Sequence, residues 1–180
     1  MLEKILYQNQ AKLKEEITEV LLEAFPEEER PPVNYFFESL KNAANTLVAY
    51  FDKDAFIGFA FLSKYQDVCY IFFLAVKKEY RHQGYGGQIL ENIKQDYQDY
   101  VLMIAYEEVN PQYPNYLERV NREKFYLSHG FKNNNLKTNE YGVIYQTAYI
   151  GNRQVTFKEY KEIFILGFGK RNENYVKEVK

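Results

Sequence analysis

Apolar residues recur along this chain at two spacings, and the switches between them lay out the elements. From Ala11 onward Leu13, Ile17, Val20, Leu21 and Ala24 fall at helical intervals, which predicts an amphipathic helix closed by Pro26. Ahead of it, residues 2–7 alternate weakly and read as an edge strand. Pro26, Pro31 and Pro32 keep the next stretch from continuing the helix. A second helix is predicted from about Val33 to Ala44, carrying Tyr35, Phe36, Phe37 and Leu40. Three β-rich runs follow, Thr46–Phe51, Ala55–Tyr65 and Val68–Val76, separated only by Asp52-Lys53-Asp54 and Gln66-Asp67. Breaks that short imply three successive antiparallel strands. Gly58 inside the second run marks a bulge or a close backbone approach.

Helical spacing returns at Ile89, Leu90 and Ile93 and runs to about Gln98, and Tyr100–Tyr106 is a wholly apolar strand. Strand, helix and strand in that order imply a crossover that sets the later strand parallel to the earlier one. Val109–Tyr116, with Pro111 and Pro114, is a loop. Tyr116–His129 reads as a helix ended by Gly130. Phe131–Lys137 and Gly142–Ile150 are predicted strands, paired across an Asn- and Thr-rich break at 133–139. Thr156 with Glu159 is a capping-box pair for a last helix through about Gly167. The polar end, Lys170–Lys180, is expected to fray.

Composition narrows the classes. A chain of 180 residues suits one domain over 1–180, with a core of about 11–149 and a C-terminal helical appendage at 150–180. A net charge of −2 offers no basic face, so no nucleic-acid partner is expected. No apolar stretch is long enough for a membrane span, and Met1–Tyr7, short and carrying Glu3, is no signal peptide. The single cysteine, Cys69, excludes an internal disulfide and a cysteine-based metal cluster, pointing to a cytoplasmic protein with Cys69 packed in a strand. Neither histidine has a metal-ligand partner at helical spacing, so no metal is expected. Eighteen tyrosines and fourteen phenylalanines with no tryptophan imply no particular function.

The candidate chemistry centres on residues 71–95, where an apolar strand passes through Gly84-Tyr85-Gly86-Gly87 into a helix. Free backbone N–H groups and a helix dipole make such a junction a phosphate site. A nucleotide P-loop is excluded, because Gln88 and Ile89 stand where Lys-Ser/Thr is required. The dinucleotide pattern fails at Ile89, where its third glycine belongs. What matches is Arg81-His82-Gln83-Gly84-Tyr85-Gly86, which fits Q/R-x-x-G-x-G/A directly after Leu74-Ala75-Val76. This resembles the acyl-CoA motif of the GNAT superfamily of N-acetyltransferases. A second stretch, Phe125-Tyr126-Leu127-Ser128-His129-Gly130-Phe131, is similar to that family's F/Y-Y-x-x-x-G-F motif. The run Asn121-Arg122-Glu123-Lys124 departs from the Asn and small residue that many members carry upstream of that tyrosine.

The resemblance implies an α/β (α+β) fold: a mixed, mostly antiparallel sheet, flanked by helices, with two parallel strands splayed at the acyl-CoA site. It implies that Leu74, Ala75 and Val76 line the pantetheine arm. Gln83, Gly84, Tyr85, Gly86 and Gly87 would hold the pyrophosphate, with Arg81 and His82 beside it, and Tyr126 would protonate the departing thiolate. The co-substrate is then acetyl-CoA, and the acceptor a small-molecule or peptide amine. Glu107 and Glu108 close a strand beside the acceptor, and Glu107 is the expected base, with Glu108 or a water chain as alternatives. Glu28 and Glu29, between the first two helices, would attract a cationic amine, although the residues by themselves read first as a solvated turn. The expected activity is direct acetyl transfer to a primary amine in a ternary complex. The competing class is a silent acyl-CoA sensor or interaction module. A homodimer stays open.

Overall fold

The computed structural model describes residues 2–179, in which the chain divides into two units. The first comprises the chain up to Ser63 together with Ile71–Asp96, and the second Lys64–Tyr70 with the chain from Tyr97 onward.

The first unit contains β1 (Glu3–Leu6), α1 (Ala11–Ala24), α2 (Val33–Glu38), β2 (Asn45–Asp52), most of β3 (Ala55–Tyr65), the later part of β4 (Val68–Val76) and α3 (Tyr85–Asp96). Helix α1 buries Leu13, Ile17, Val20 and Leu21, four of the residues whose spacing predicts it. It stops where Phe25 turns extended before Pro26. The Phe36 ring lies 5.0 Å from Phe61, 5.6 Å from Phe73 and 6.0 Å from Phe59, and the Phe37 ring 5.3 Å from Tyr7, so aromatic side chains anchor α2. Such pairs contribute about 0.5–1.5 kcal/mol each beyond the area they bury.

Helix α2 is shorter than its periodicity suggests and gives way to a 3₁₀ turn at Ser39–Lys41. The Ser39 hydroxyl donates to the Phe36 carbonyl (2.6 Å), and the Asn45 amide donates to the Ser39 carbonyl (2.8 Å). Side chains thereby take the carbonyls a longer helix would use. The β2–β3 register shifts between Tyr50 and Phe51, opposite Ile57 and Gly58. A Cβ on Gly58 would lie 2.1 Å from the Ala75 carbonyl oxygen, so this glycine marks both a bulge and a close backbone approach.

The second unit contains the start of β4, β5 (Val101–Glu107), α4 (Tyr116–Ser128), β6 (Lys132–Glu140), β7 (Val143–Ile150), α5 (Phe157–Phe168) and β8 (Val176–Val179). Val68–Tyr70 runs parallel to Val101–Met103, and Cys69 is buried. Two expectations fail here. The Asn- and Thr-rich segment is no break: β6 runs through it to Glu140, and the turn falls at Tyr141-Gly142. Two of its polar residues, Asn134 and Thr138, face inward because they have partners. Asn134 donates to the Val155 carbonyl (2.8 Å), accepts from the Val155 N–H (2.9 Å) and donates to Thr147 (3.2 Å). The C-terminal segment is likewise ordered as a 3₁₀ turn, Lys170–Tyr175, and β8, which pairs with β6 from Glu140↔Val176 to Lys137↔Val179. Lys180 lies outside the described residues. The capping box at Thr156 and Glu159 is present.

Among the described residues the strands form one mixed, mostly antiparallel sheet in the order β1-β2-β3-β4-β5-β7-β6-β8, with β4 and β5 its parallel pair.

Candidate active site

In the first unit, β4 ends at Val76, a 3₁₀ turn spans Lys78–Tyr80, and α3 begins at Tyr85. Between them His82 (φ 62°) and Gly84 (φ +83°) both adopt left-handed backbone. The first α3 hydrogen bond runs from the Gln88 N–H to the Gly84 carbonyl (3.1 Å). The N–H groups of Tyr85, Gly86 and Gly87 therefore precede the helical ladder and carry the positive end of its dipole. Nothing lies within 4 Å of where a Gly84 Cβ would stand.

Several residues expected at the cofactor make contacts that brace this loop. Arg81 donates from Nε to the Val76 carbonyl (2.9 Å) and pairs with Glu23 (3.4 Å). Gln83 donates to the Glu79 carbonyl (2.9 Å), and the Tyr85 hydroxyl to Asp52 (2.7 Å). His82 is exposed. Along β4, Ala75 is buried while Leu74 and Val76 are half-buried. Glu28 and Glu29 belong to a 3₁₀ turn, Glu27–Glu29, with Glu28 exposed and Glu29 half-buried.

In the second unit, Tyr126 sits in the last α4 turn, its ring 6.0 Å from Tyr106, 5.2 Å from Phe125 and 5.7 Å from Phe131. Burial raises its phenol above the ordinary value of 10, and the positive charge of Arg122 opposes that rise. The group is therefore a neutral acid at physiological pH. No hydrogen bond to its hydroxyl is found among the described residues, so its proton is uncommitted.

Glu107 is only 1% exposed and forms ion pairs with Arg122 and, at 4.0 Å, with Arg119. Glu108 pairs with Lys137 at 2.7 Å, so the neighbouring carboxylates turn to different partners. Arg119 has no part in the sequence reading. It donates to Asn115 (2.8 Å) and to the Glu108 carbonyl (3.0 Å), and its guanidinium lies 3.9 Å from the centre of the Tyr113 ring. One buried side chain thus ties the β5–α4 loop to the helix. The signal in the sequence is only the i, i+4 spacing of Asn115 and Arg119. Among the described residues no group of three or more His, Cys, Asp or Glu could hold a metal ion, and no helix is long and apolar enough to cross a membrane.

The first unit thus holds a strand that ends before a glycine-opened helix N-terminus, and the second a neutral phenol on α4, the two features that carry the resemblance to the GNAT family. The comparison with known families agrees: the sequence model described as "Acetyltransferase (GNAT) domain" matches residues 42–133, just over half the chain. The chain belongs to the GNAT family of acetyltransferases, whose members transfer an acetyl group from acetyl-CoA. Among solved structures it is similar to a Bacteroides thetaiotaomicron protein assigned to that family, with 20% identity over 94% of this chain and 98% of the other, at a TM-score of 0.73. It is also similar to the ribosomal-protein-S18-alanine N-acetyltransferase of Escherichia coli (14% identity, 87% and 97% covered, TM-score 0.64). A third is an aminoglycoside 6'-N-acetyltransferase complexed with coenzyme A (16% identity, 86% and 99% covered, TM-score 0.66). At these identities the likeness is one of fold. No curated protein matches the chain in sequence.

Proposed function

We propose that this protein is an N-acetyltransferase, a single catalytic domain of the cytoplasm, that passes the acetyl group of acetyl-CoA directly to a primary amine. The observation that carries the reading is the α3 N-terminus, where the N–H groups of Tyr85, Gly86 and Gly87 precede the first helical hydrogen bond, from Gln88 to Gly84. These amides hold the CoA pyrophosphate. Arg81 and Gln83 keep the loop in the shape that presents them, and Leu74, Ala75 and Val76 line the pantetheine arm. Backbone N–H groups on that stretch polarise the thioester carbonyl, a kind of contribution worth about 2.7–4 kcal/mol for each well-placed donor.

Tyr126 protonates the departing thiolate. Its raised pKa keeps the proton available across the working range, and its hydroxyl is not committed elsewhere. The acceptor is cationic before reaction, because an alkylamine near pKa 10.4 is almost wholly protonated at pH 7. The acidic turn containing Glu28 and Glu29 attracts such a molecule. Structural relatives act on an aminoglycoside and on a protein alanine, which supports an amine acceptor without choosing between small molecule and peptide. Glu107, held by two guanidiniums, is the proton acceptor the sequence suggests, and for that buried carboxylate we favour a positioning role toward α4.

The test is release of free thiol from acetyl-CoA across a panel of polyamines, aminoglycosides, peptide N-termini and lysine peptides. Amine-dependent release is expected. CoA binding without release for any amine would make the protein a sensor.

A further inference from the structure

Four residues on one face of α4 meet the end of β5. Arg119, Arg122, Glu123 and Tyr126 recur at helical spacing, which sets them side by side along the helix. Tyr106 donates from its hydroxyl to Glu123 Oε1 (3.2 Å), and its ring stacks on Tyr126 at an interplanar angle of 24°. The next residue, Glu107, is buried and pairs with Arg119 and Arg122. The two guanidiniums are not used alike. Arg119 is buried and directs its donors to Asn115 and the Glu108 carbonyl, with Glu107 at 4.0 Å. Arg122 is the closer partner, and its side chain is 38% exposed. A carboxylate as buried as Glu107 is strongly disfavoured without a cation, so it fixes where the Arg122 guanidinium stands.

Arg122 lies one turn before Tyr126, and a helical side chain covers the turn on its N-terminal side, so Tyr126 lies over the turn that carries the arginine. Two features of the fold disfavour an ionised phenol there: burial, and the negative end of the helix dipole in the last α4 turn. Arg122 supplies the charge that opposes them. The other ionisable groups around the ring are Tyr106 on β5 and Tyr70 on β4, both kept neutral by burial, and Tyr70 lies close enough to feel a charge on Tyr126. Glu123 is engaged by Tyr106, and Glu107 by the two arginines.

We propose that Arg122, held in place by Glu107, is the positioning residue that stabilises the Tyr126 tyrosinate formed when that phenol gives its proton to the CoA thiolate. The inference rests on the N-acetyltransferase reading above. Attack by the free amine forms the C–N bond, and the C–S bond of the thioester breaks. The Tyr126 O–H bond breaks as the S–H bond forms, and the tyrosinate takes a proton from the nitrogen, which becomes the amide. No proton is gained or lost overall. The transfer to sulfur runs uphill, because a thiol ionises at about 8.5 and an ordinary tyrosine at about 10. A guanidinium one turn away, charged at every working pH, narrows that gap.

The first measurement follows the ionisation itself, without turnover. 3,5-Difluorotyrosine placed at position 126 has a more acidic phenol, and its fluorine resonance reports the titration apart from every other tyrosine. Arg122→Gln should raise the midpoint by about one unit, whereas Arg122→Lys, which keeps the charge, should stay within about 0.3 unit of the wild type. The single change leaves Glu107 without its closer cation and can unfold the protein, so the double variant Glu107→Gln with Arg122→Gln is titrated beside it. That variant removes both charges of the pair and should also raise the midpoint. An unchanged midpoint in a folded variant of either kind overturns the proposal. The second measurement is kcat with and without Tyr126→Phe. Arg122→Gln should lower kcat about fivefold with the CoA dissociation constant unchanged, and Arg122→Lys should restore most of it. In the Tyr126→Phe background the same change should cost less than about twofold, because no phenol proton is left to move. An equal loss in both backgrounds overturns the proposal, since a packing role would damage either protein alike. A wild type that releases no thiol with any amine overturns the N-acetyltransferase reading and the catalytic part of this proposal with it, while the fluorine titration alone tells whether Arg122 acts on Tyr126.

Discussion

The two units handle polar groups in opposite ways. Of the buried polar side chains among the described residues, only Asn45 and Ser63 lie in the first unit, and Glu107, Arg119, Asn134, Thr138, Thr147 and Asn172 lie in the second. The interior of the first is rings and aliphatic chains, and the polar groups it offers a ligand are backbone amides. The second unit buries polar side chains: a phenol on α4, a carboxylate paired with arginines, and hydroxyls hydrogen-bonded to one another and to Glu140. A backbone-built site depends on torsion angles and empty space, so an added Cβ is what damages it. A side-chain-built site depends on single atoms, and deleting one oxygen is enough.

The largest expected effect separates two glycines of the first unit. Gly58→Ala drives a methyl group to 2.1 Å from the Ala75 carbonyl oxygen and 3.0 Å from the Val76 Cα, both backbone atoms that cannot swing aside. A loss of about 3 kcal/mol in urea unfolding is expected, and a folded variant within about 0.5 kcal/mol of wild type would mean that β3 and β4 are not held this closely. Next comes the side-chain side of the comparison. Tyr126→Phe keeps the ring contacts to Tyr106 and Phe131 and deletes only the proton. Turnover should fall about 10²-fold with CoA affinity unchanged, and turnover within twofold of wild type would transfer the acid role to another group.

Gly84→Val reverses the outcome of the Gly58 change. No atom lies within 4 Å of the new Cβ, so the packing is untouched, and the φ of +83° costs the fold only backbone strain, about 1–2 kcal/mol. The β-branched side chain stands on the residue directly before the amides of Tyr85, Gly86 and Gly87. Calorimetry should show the CoA dissociation constant raised about tenfold, roughly 1.4 kcal/mol. Unchanged affinity in a folded variant removes the amide loop from the binding assignment.

The same contrast explains what the sequence discloses. The first unit is legible because its strands are apolar runs between short polar turns, and because glycine at 58 and 84 flags backbone geometry directly. Only the end of α2 escapes, since Ser39 and Asn45 redirect carbonyls that periodicity assigns to a helix. In the second unit Asn134 and Thr138 are interior residues of β6, but hydropathy alone makes them loop residues. Their burial is possible because Val155, Thr147 and Glu140 stand ready as partners, and those pairings span 2 to 21 positions in sequence. Tyr126 is identifiable through its motif, whereas Tyr70, Tyr160 and Glu140 belong to no motif and converge only on folding. Eighteen tyrosines in one chain gave no means of singling out these two.

The smallest effect expected concerns how Glu140 is held. Burial raises its pKa to about 7, with the hydrogen bonds from Tyr160 and Thr138 opposing the rise. In the unfolded chain the same group ionises near 4.5. Between those two values the folded state binds more protons than the unfolded state, so stability falls as pH rises through the window. The cost is absent below about 4.5 and complete above about 7. Because the residue is half-buried, solvent screens the carboxylate, and a difference of about 1 kcal/mol is expected rather than the full linkage value. Glu140→Gln carries no charge at any pH and should lack this component. Urea unfolding of both proteins at pH 4.5, 6 and 8 isolates it, since every other titrating group is common to the pair. The wild type should lose about 1 kcal/mol relative to the variant between the first and last pH. A flat difference would mean that Glu140 ionises like an exposed carboxylate and that the second unit holds it in water.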